Sequence, residues 1–212
     1  MPVTFLPLLG AQAAEVDDFR RQMDVAGCVF DFTVRRLAVG DVPTQVDHRA
    51  LLELLFGEMQ DSVDIQRQQF LKERADVLGE RATHDVALAR AEPWEVSGLR
   101  KAMACRPGDR IEFTDPTMTV SRAEWLFQAF DDPPYSARCA PGMFMDFCRL
   151  TGLWPDPGLQ VLDWVGDVHQ EPERSEWSDY FDPGKEWWGG WCLTVWNPAH
   201  RTLAALMASA TD

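Results

Sequence analysis

Basic residues are scarce in this sequence. It has 20 Lys and Arg against 34 Asp and Glu, which gives a formal net charge of −14. Proteins that bind nucleic acid place Lys and Arg on the phosphates, and proteins that dock on anionic membranes use basic clusters. We therefore expect neither nucleic acid nor a membrane as a direct partner. A basic protein partner fits this charge, because opposite charges steer association, and so does a surface that is acidic only for solubility.

Cysteine is also infrequent. The chain has five cysteines, an odd number, spread widely and without a CxxC pair. This spacing predicts neither a disulfide framework nor a zinc site. It favours reduced thiols in a cytoplasmic protein. The five residues are Cys28, Cys105, Cys139, Cys148 and Cys192.

Long apolar runs are missing. No stretch approaches the roughly eighteen apolar residues that indicate a membrane-spanning helix. The start, "MPVTFLPLLGAQAAE", contains an "AQA" that resembles a signal-peptide cleavage site, but it has no Lys or Arg and its short apolar run is interrupted by Pro7. We therefore predict no signal peptide and a cytoplasmic location.

Common catalytic motifs are absent as well. The chain contains no GxGxxG, GxxxxGK[ST], HExxH or GxSxG. Asp163, Asp167 and His169 are residue types that bind metals, but "DVHQE" has neither EF-hand spacing nor the glycine of that loop. With 34 carboxylates, a suitable pair for acid–base catalysis always exists, so such a pair is not specific. We predict no catalytic residue, no metal and no cofactor.

The first part of the chain, residues 1–95, is predicted to be mainly helical with one strand. Glu15–Gly27 is a short helix that ends at a glycine, and Asp47–Val77 carries leucines at helical spacing. Between them, Cys28–Leu37 alternates apolar and polar residues, which is typical of a half-buried strand. A composition shift near Glu92–Pro107 marks a candidate domain boundary, although a single domain is the alternative.

Residues 96–212 are predicted to be α+β. Ser121 and Glu124 form a capping box at the start of a helix, and further helices are predicted at Leu99–Cys105 and Gly142–Trp154. Near the end, Trp191–Trp196 and Thr202–Ala208 flank "NPAH" and predict a β-hairpin. The whole chain is therefore expected to be α+β, with a helical N-terminal half packed on a mixed or antiparallel sheet that includes this hairpin.

Tryptophan is abundant, with nine residues in the chain. Trp191 and Trp196 fall on opposite faces of the predicted hairpin strand, where rings of this size pack into cores. Trp187 and Trp188 lie between a polar "DPGKE" and "GG", so we expect at least one of them to be exposed. An exposed Trp beside carboxylates is typical of a protein-binding hot spot or of a platform on which sugars stack.

The segment Asp156–Glu186 is strongly acidic. It has nine Asp and Glu against two basic residues, and the resulting −7 is half of the net charge of the chain. A solvated loop explains this composition, and so does a surface that imitates a nucleic-acid backbone and enters the basic cleft of a nuclease. For the second case the candidate toxin-binding residues are Asp163, Asp167, Glu171, Glu173, Glu176, Trp177, Asp179, Tyr180, Asp182, Glu186, Trp187 and Trp188.

The C-terminal residues "GGWCLTVWNPAHRTLAALMASATD" resemble the end of immunity proteins from bacterial polymorphic-toxin and type VI secretion systems. These proteins are of the kind paired with nuclease effectors of restriction-endonuclease fold. The resemblance covers residues 189–212, or 182–212 with the preceding "DPGKEWW". It implies a cytoplasmic inhibitor, not an enzyme, that binds its cognate toxin tightly, and it carries over no catalytic residues.

We therefore predict an immunity protein that neutralises a cognate secreted toxin, a basic nuclease domain, by covering its active cleft or its assembly surface. Two other classes stay open. One is a small hydrolase or carbohydrate-binding module that uses the Trp and carboxylate cluster. The other is an acidic secretion adaptor or chaperone.

Overall fold

The computed structural model describes residues 2–70, 83–109, 120–132, 138–186 and 189–209. Within them the strands form a six-stranded sheet of order β1-β2-β6-β5-β4-β3, and every neighbouring pair is antiparallel. This confirms the α+β class. The strands are β1 Phe5–Leu6, β2 Asp31–Leu37, β3 Glu92–Pro93, β4 Gln160–Asp163, β5 Trp191–Asn197 and β6 Thr202–Ala208.

Helices cover both faces of the sheet. One core lies between the sheet and α1, α3, α4 and α5. The other lies between the opposite face, α2 and a segment of three short 3-10 helices, at Pro172–Ser175, Asp179–Phe181 and Pro183–Glu186. The α-helices are α1 Gly10–Ala26, α2 Gln45–Phe70, α3 Leu99–Ala104, α4 Arg122–Asp131 and α5 Met143–Thr151.

Local signals decide where several helices begin and end. Gly27, with φ of 81°, adopts the left-handed conformation after α1, and its N–H is directed to the carbonyls of Met23 and Asp24. Ser121 accepts from the backbone N–H of Glu124, whose carboxylate accepts from the Ser121 N–H in return. The predicted end of α1 and the predicted capping box are both confirmed.

The C-terminal hairpin is confirmed too. Residues of β5 pair with β6 from Trp191 opposite Ala208 to Asn197 opposite Thr202. The buried Asn197 side chain organises the turn: its oxygen accepts from the N–H of Ala199 at 3.0 Å, and its nitrogen donates to the carbonyl of Gly152 at 3.0 Å. The two strands lie in the middle of the sheet and are buried on both faces.

Alternation along β5 places its side chains as predicted. Trp191, Leu193 and Val195 belong to the core beneath α1 and α3–α5, whereas Cys192 and Trp196 belong to the core beneath α2. Both tryptophans are buried, which confirms their predicted role in core packing.

A single sheet contains strands from both sides of the boundary proposed near residue 95. Strand β2 pairs with β6 over six residues, from Asp31 opposite Met207 to Arg36 opposite Thr202. The predicted helix Asp47–Val77 corresponds to α2, and its last part, residues 71–77, lies outside the described residues. No helix in the described part of the chain combines the length and apolar character needed to cross a membrane.

Candidate functional site

The aromatic residues of the acidic segment Asp156–Glu186 pack into the core beneath α2. Trp177 is only 6% exposed, and its indole N–H donates to the carbonyl of Trp164 at 3.1 Å. Its ring meets Phe56 of α2 edge-on, with centroids 5.7 Å apart, and Phe181 at 5.2 Å. A large ring whose one donor is satisfied belongs in a core. Trp177, a candidate toxin-binding residue, is therefore part of the core.

Asp163 is another buried member of the predicted site. It is 6% exposed at the end of β4, where its Oδ1 accepts from the N–H of Val165 at 3.1 Å and of Gly166 at 2.8 Å. Its Oδ2 lies 3.6 Å from Nη2 of Arg122. The carboxylate of this candidate toxin-binding residue therefore builds the turn after the strand and is buried, not exposed at the surface.

Tyr180 is half-buried and faces the sheet. Its ring packs against Phe56 and Phe181, and its hydroxyl donates to Oδ2 of Asp31 at 3.4 Å. Burial and the Asp31 carboxylate raise the pKa of this hydroxyl well above its ordinary value. Of the other candidates, Trp187, Trp188 and the side chain of Glu186 lie outside the described residues.

Five predicted carboxylates remain at the surface of the 3-10 segment. Glu173, Glu176, Asp179 and Asp182 are exposed, and Glu171 is half-buried. Three of the five have partners: Asp179 accepts from Thr83, Asp182 lies 2.6 Å from Lys185, and Glu171 lies 3.2 Å from Arg174.

Glu173 and Glu176 are different. Within the described part of the chain, no hydrogen bond or ion pair engages either side chain. Arg174, the cation next to Glu173, is turned inward: its Nη2 donates to the carbonyl of Asp163 at 2.8 Å, and its Nη1 lies 3.4 Å from Glu92. The negative charge of Glu173 and Glu176 is therefore directed to solvent.

These carboxylates line two adjoining depressions of about 450 and 410 Å³, which share Leu88, Glu176 and Trp177. We call the two together the acidic groove. It brings seven carboxylates together with three Arg and Lys residues. The carboxylates are Asp85, Glu92, Glu171, Glu173, Glu176, Asp179 and Asp182, and the cations are Arg90, Arg174 and Lys185.

Leu88 projects between the two depressions and is 68% exposed. The loop that carries it is firmly held, because Val86 and Ala89 are buried on either side and the N–H of Asp85 donates to the carbonyl of Trp177 at 2.8 Å. Leu88 is thus a single exposed apolar side chain, held in place by its buried neighbours, among the carboxylates of the groove. Sequence reasoning missed it. The available signal was the spacing of Val86 and Ala89, which places Leu88 off the buried face.

Asp167 does not belong to the groove. Its carboxylate accepts from the N–H of His169 at 3.0 Å and from the amide of Gln170, and it lines a separate depression of about 380 Å³ beside Trp191. There the guanidinium of Arg122 lies over the Trp191 ring, 4.3 Å from its centroid. Asp163, Asp167 and His169, considered as a metal site from the sequence, do not converge: the described residues contain no group of three or more His, Cys, Asp or Glu arranged for a metal ion.

The structure thus brings some of the predicted site residues together and places the others elsewhere. Glu171, Glu173, Glu176, Asp179 and Asp182 meet at the acidic groove, whereas Asp163 and Trp177 support the fold beneath it. The groove offers carboxylates and one apolar side chain on a rigid base, which suits recognition of a basic surface. No family model, no curated protein and no solved structure matches this chain.

Proposed function

We propose that this protein is a cytoplasmic immunity protein that binds and neutralises a cognate secreted toxin, a nuclease effector, through the acidic groove. The observation that carries the proposal is the row of exposed carboxylates around Leu88. Glu173 lines the depression on one side of this leucine, Asp179 and Asp182 line the depression on the other side, and Glu176 lines both. The resemblance of the C-terminal hairpin to immunity proteins adds to this support.

The inhibition would be electrostatic and steric. A nuclease cleft carries Lys and Arg where the phosphates of its substrate lie. Carboxylates on a rigid surface can occupy those phosphate positions, and opposite charge speeds the encounter. Leu88 would then enter an apolar pocket on the toxin, since buried apolar side chains give affinity that exposed ion pairs do not.

The base of the groove is built to keep this surface in one arrangement. The 3-10 segment is held to the core by Trp177 and Phe181, and Asp179 ties it to residue 83 through two hydrogen bonds to Thr83, each of 2.7 Å. Such preorganisation favours tight binding, because little conformational entropy is lost on association.

Growth rescue tests the proposal. The product of the neighbouring gene, which the proposal expects to be a toxic nuclease domain, is co-expressed with this chain in a bacterial host, and we expect the wild-type chain to restore growth. The double substitution Glu173→Lys with Glu176→Lys should abolish rescue, because it replaces two negative charges by two positive ones, a change of +4 that repels the toxin's cations.

The matched control is Asp17→Lys with Asp18→Lys. These two exposed carboxylates lie on α1, which covers the other face of the sheet, and their substitution changes the net charge equally. The control should keep rescue. Equal rescue by both double variants would contradict the assignment of the groove, and failure of the wild-type chain to rescue would contradict the function itself.

A further inference from the structure

Cys28 and Cys139 lie 111 positions apart in the chain, yet their sulfur atoms are 3.2 Å apart. Both side chains are half-buried free thiols. A disulfide bond is about 2.05 Å long, so closing this gap requires only about 1 Å of movement. The two residues connect the loop after α1 with the loop before α5.

The backbone holds both residues in this position. The N–H of Cys28 donates to the carbonyl of Met23 at 3.0 Å, as part of the turn that ends α1. The neighbour of Cys139, Arg138, donates its N–H to the carbonyl of Ala26 at 2.8 Å. Hydrogen bonds to the end of the same helix therefore place the two thiols side by side, independently of any contact between the sulfurs.

From this juxtaposition we infer that Cys28 and Cys139 form a redox-active dithiol, which a low-molecular-weight disulfide converts to an intramolecular disulfide. The inference concerns the side of the sheet opposite the acidic groove, and it does not depend on the proposed function.

Cys139 is the attacking thiol. It lines a surface depression of about 240 Å³, whose lining does not include Cys28. The two sulfurs share a hydrogen bond in which either thiol can donate. Donation by Cys28 lowers the pKa of Cys139 and raises that of Cys28. The thiolate is the nucleophile in disulfide exchange, so the more acidic and more accessible sulfur reacts first.

The exchange proceeds in two steps. The Cys139 thiolate attacks one sulfur of the external disulfide, forming a mixed disulfide and releasing one small thiolate, which takes up the proton that Cys139 lost. The Cys28 sulfur then attacks the Cys139 sulfur, and its proton passes to the second small thiol as it leaves. The two protein thiols lose two electrons, and one external disulfide becomes two thiols.

The depression also indicates which oxidants react fastest. Its lining includes the carboxylates Asp109, Asp131 and Asp132 and one cation, Arg138. A cationic disulfide such as cystamine is attracted to this surface, whereas glutathione disulfide, with its carboxylates, is repelled. We expect cystamine to react at least about threefold faster at low ionic strength.

The experiment treats the full chain with cystamine, unfolds it, alkylates the remaining thiols and measures the mass. We expect three alkylated cysteines instead of five, and a peptide that links Cys28 to Cys139. We also expect the Tm to rise by roughly 5–15 °C and to return to its starting value on reduction, because a disulfide that closes so long a loop restricts the unfolded chain. Cys28→Ser should stop at a mixed disulfide on Cys139, and Cys139→Ser should form no disulfide.

Cys105→Ser is the control, because Cys105 is also a half-buried thiol and has no sulfur partner in the described part of the chain. This variant should form the disulfide at the wild-type rate. Five alkylated cysteines after treatment would overturn the inference, as would a cross-link between other residues. Equal rates with cystamine and glutathione disulfide would overturn the assignment of Cys139 as the attacking thiol.

Discussion

At the scale of single residues, the core beneath α2 contains a buried hydrogen-bond network. Nδ1 of His48 lies 2.7 Å from the hydroxyl of Thr194, which also accepts from the indole N–H of Trp164 at 2.9 Å. Burial lowers the pKa of His48 to about 4, although the neighbouring Asp47 carboxylate acts in the opposite direction. The imidazole is therefore neutral in the folded protein, and the Thr194 hydroxyl can donate to it.

The lowered pKa of His48 predicts that this residue destabilises the folded protein in mild acid. The unfolded pKa of His48 is about 6.5, so between pH 6.5 and 4 the unfolded chain binds more protons than the folded one. Stability should be full above pH 6.5 and fall as the pH approaches 4, by about 3 kcal/mol for this residue. Urea unfolding at pH 7, 5.5 and 4 measures it. Burial raises the pKa of Asp31 to about 6, which acts in the opposite direction in the same window, so the contribution of His48 is the difference between the wild-type chain and His48→Gln. This difference should shrink by about 3 kcal/mol from pH 6.5 to 4, and a difference that does not change with pH would contradict the assignment.

Trp177 and Leu88 lie close together but should respond to substitution in opposite ways. Trp177→Ala removes a buried ring and should cost about 3–5 kcal/mol of unfolding free energy. Leu88→Ala removes an exposed side chain and should change stability by less than about 1 kcal/mol, while raising the Kd for the toxin about tenfold or more. Urea unfolding and affinity measured on the same two variants separate the roles. A stable Trp177→Ala variant, or unchanged affinity in Leu88→Ala, would show the assignments to be reversed or wrong.

At the scale of elements, local chemistry made several features predictable. The Gly27 stop, the Ser121–Glu124 capping box and the hairpin around Asn197 each depend on residues within a few positions of one another, and the structure contains all three. The faces of β5 were predictable for the same reason, because alternation is a local property of a strand.

The acidic segment was harder to predict because its burial depends on distant residues. Its composition indicates an exposed surface, and Glu173 and Glu176 agree with that. Trp177 packs against Phe56, which α2 brings to it from far along the chain. Asp163 is buried because β4 lies between β3 and β5, with Glu92 and Leu193 opposite it. Neither cause can be seen in the sequence around these residues.

At the scale of the whole molecule, strand order was the unpredicted feature. The C-terminal hairpin lies in the centre of the sheet, with β2 on one side and β4 on the other. Periodicity indicates which side chains share a face but not which strands become neighbours, so the pairing of Asp31 with Met207 was not accessible from pattern alone. The same long-range order brings Cys28 to Cys139, a contact that the widely spaced cysteines gave no reason to expect.

The sheet also separates two surfaces of different chemistry. The acidic groove lies on the side of α2, and the Cys28–Cys139 pair lies among the helices of the opposite side. Because the chain carries a net charge of −14, its electrostatic field extends beyond the groove. The attraction of a basic toxin can therefore have two sources. One is the total charge of the molecule, and the other is the local charge at the groove.

Salt dependence of the association kinetics distinguishes them. Charge steering is screened beyond about 8–10 Å at physiological ionic strength, so the association rate of the wild-type chain with the toxin should fall steeply as salt rises. Glu173→Lys with Glu176→Lys and Asp17→Lys with Asp18→Lys change the total charge equally. If the groove is the binding surface, the first pair should both slow association and speed dissociation, since it alone removes charges that contact the toxin. The Asp17 and Asp18 substitutions should slow association slightly and leave dissociation unchanged. If the two pairs of substitutions change both rates equally, the toxin binds elsewhere on the molecule.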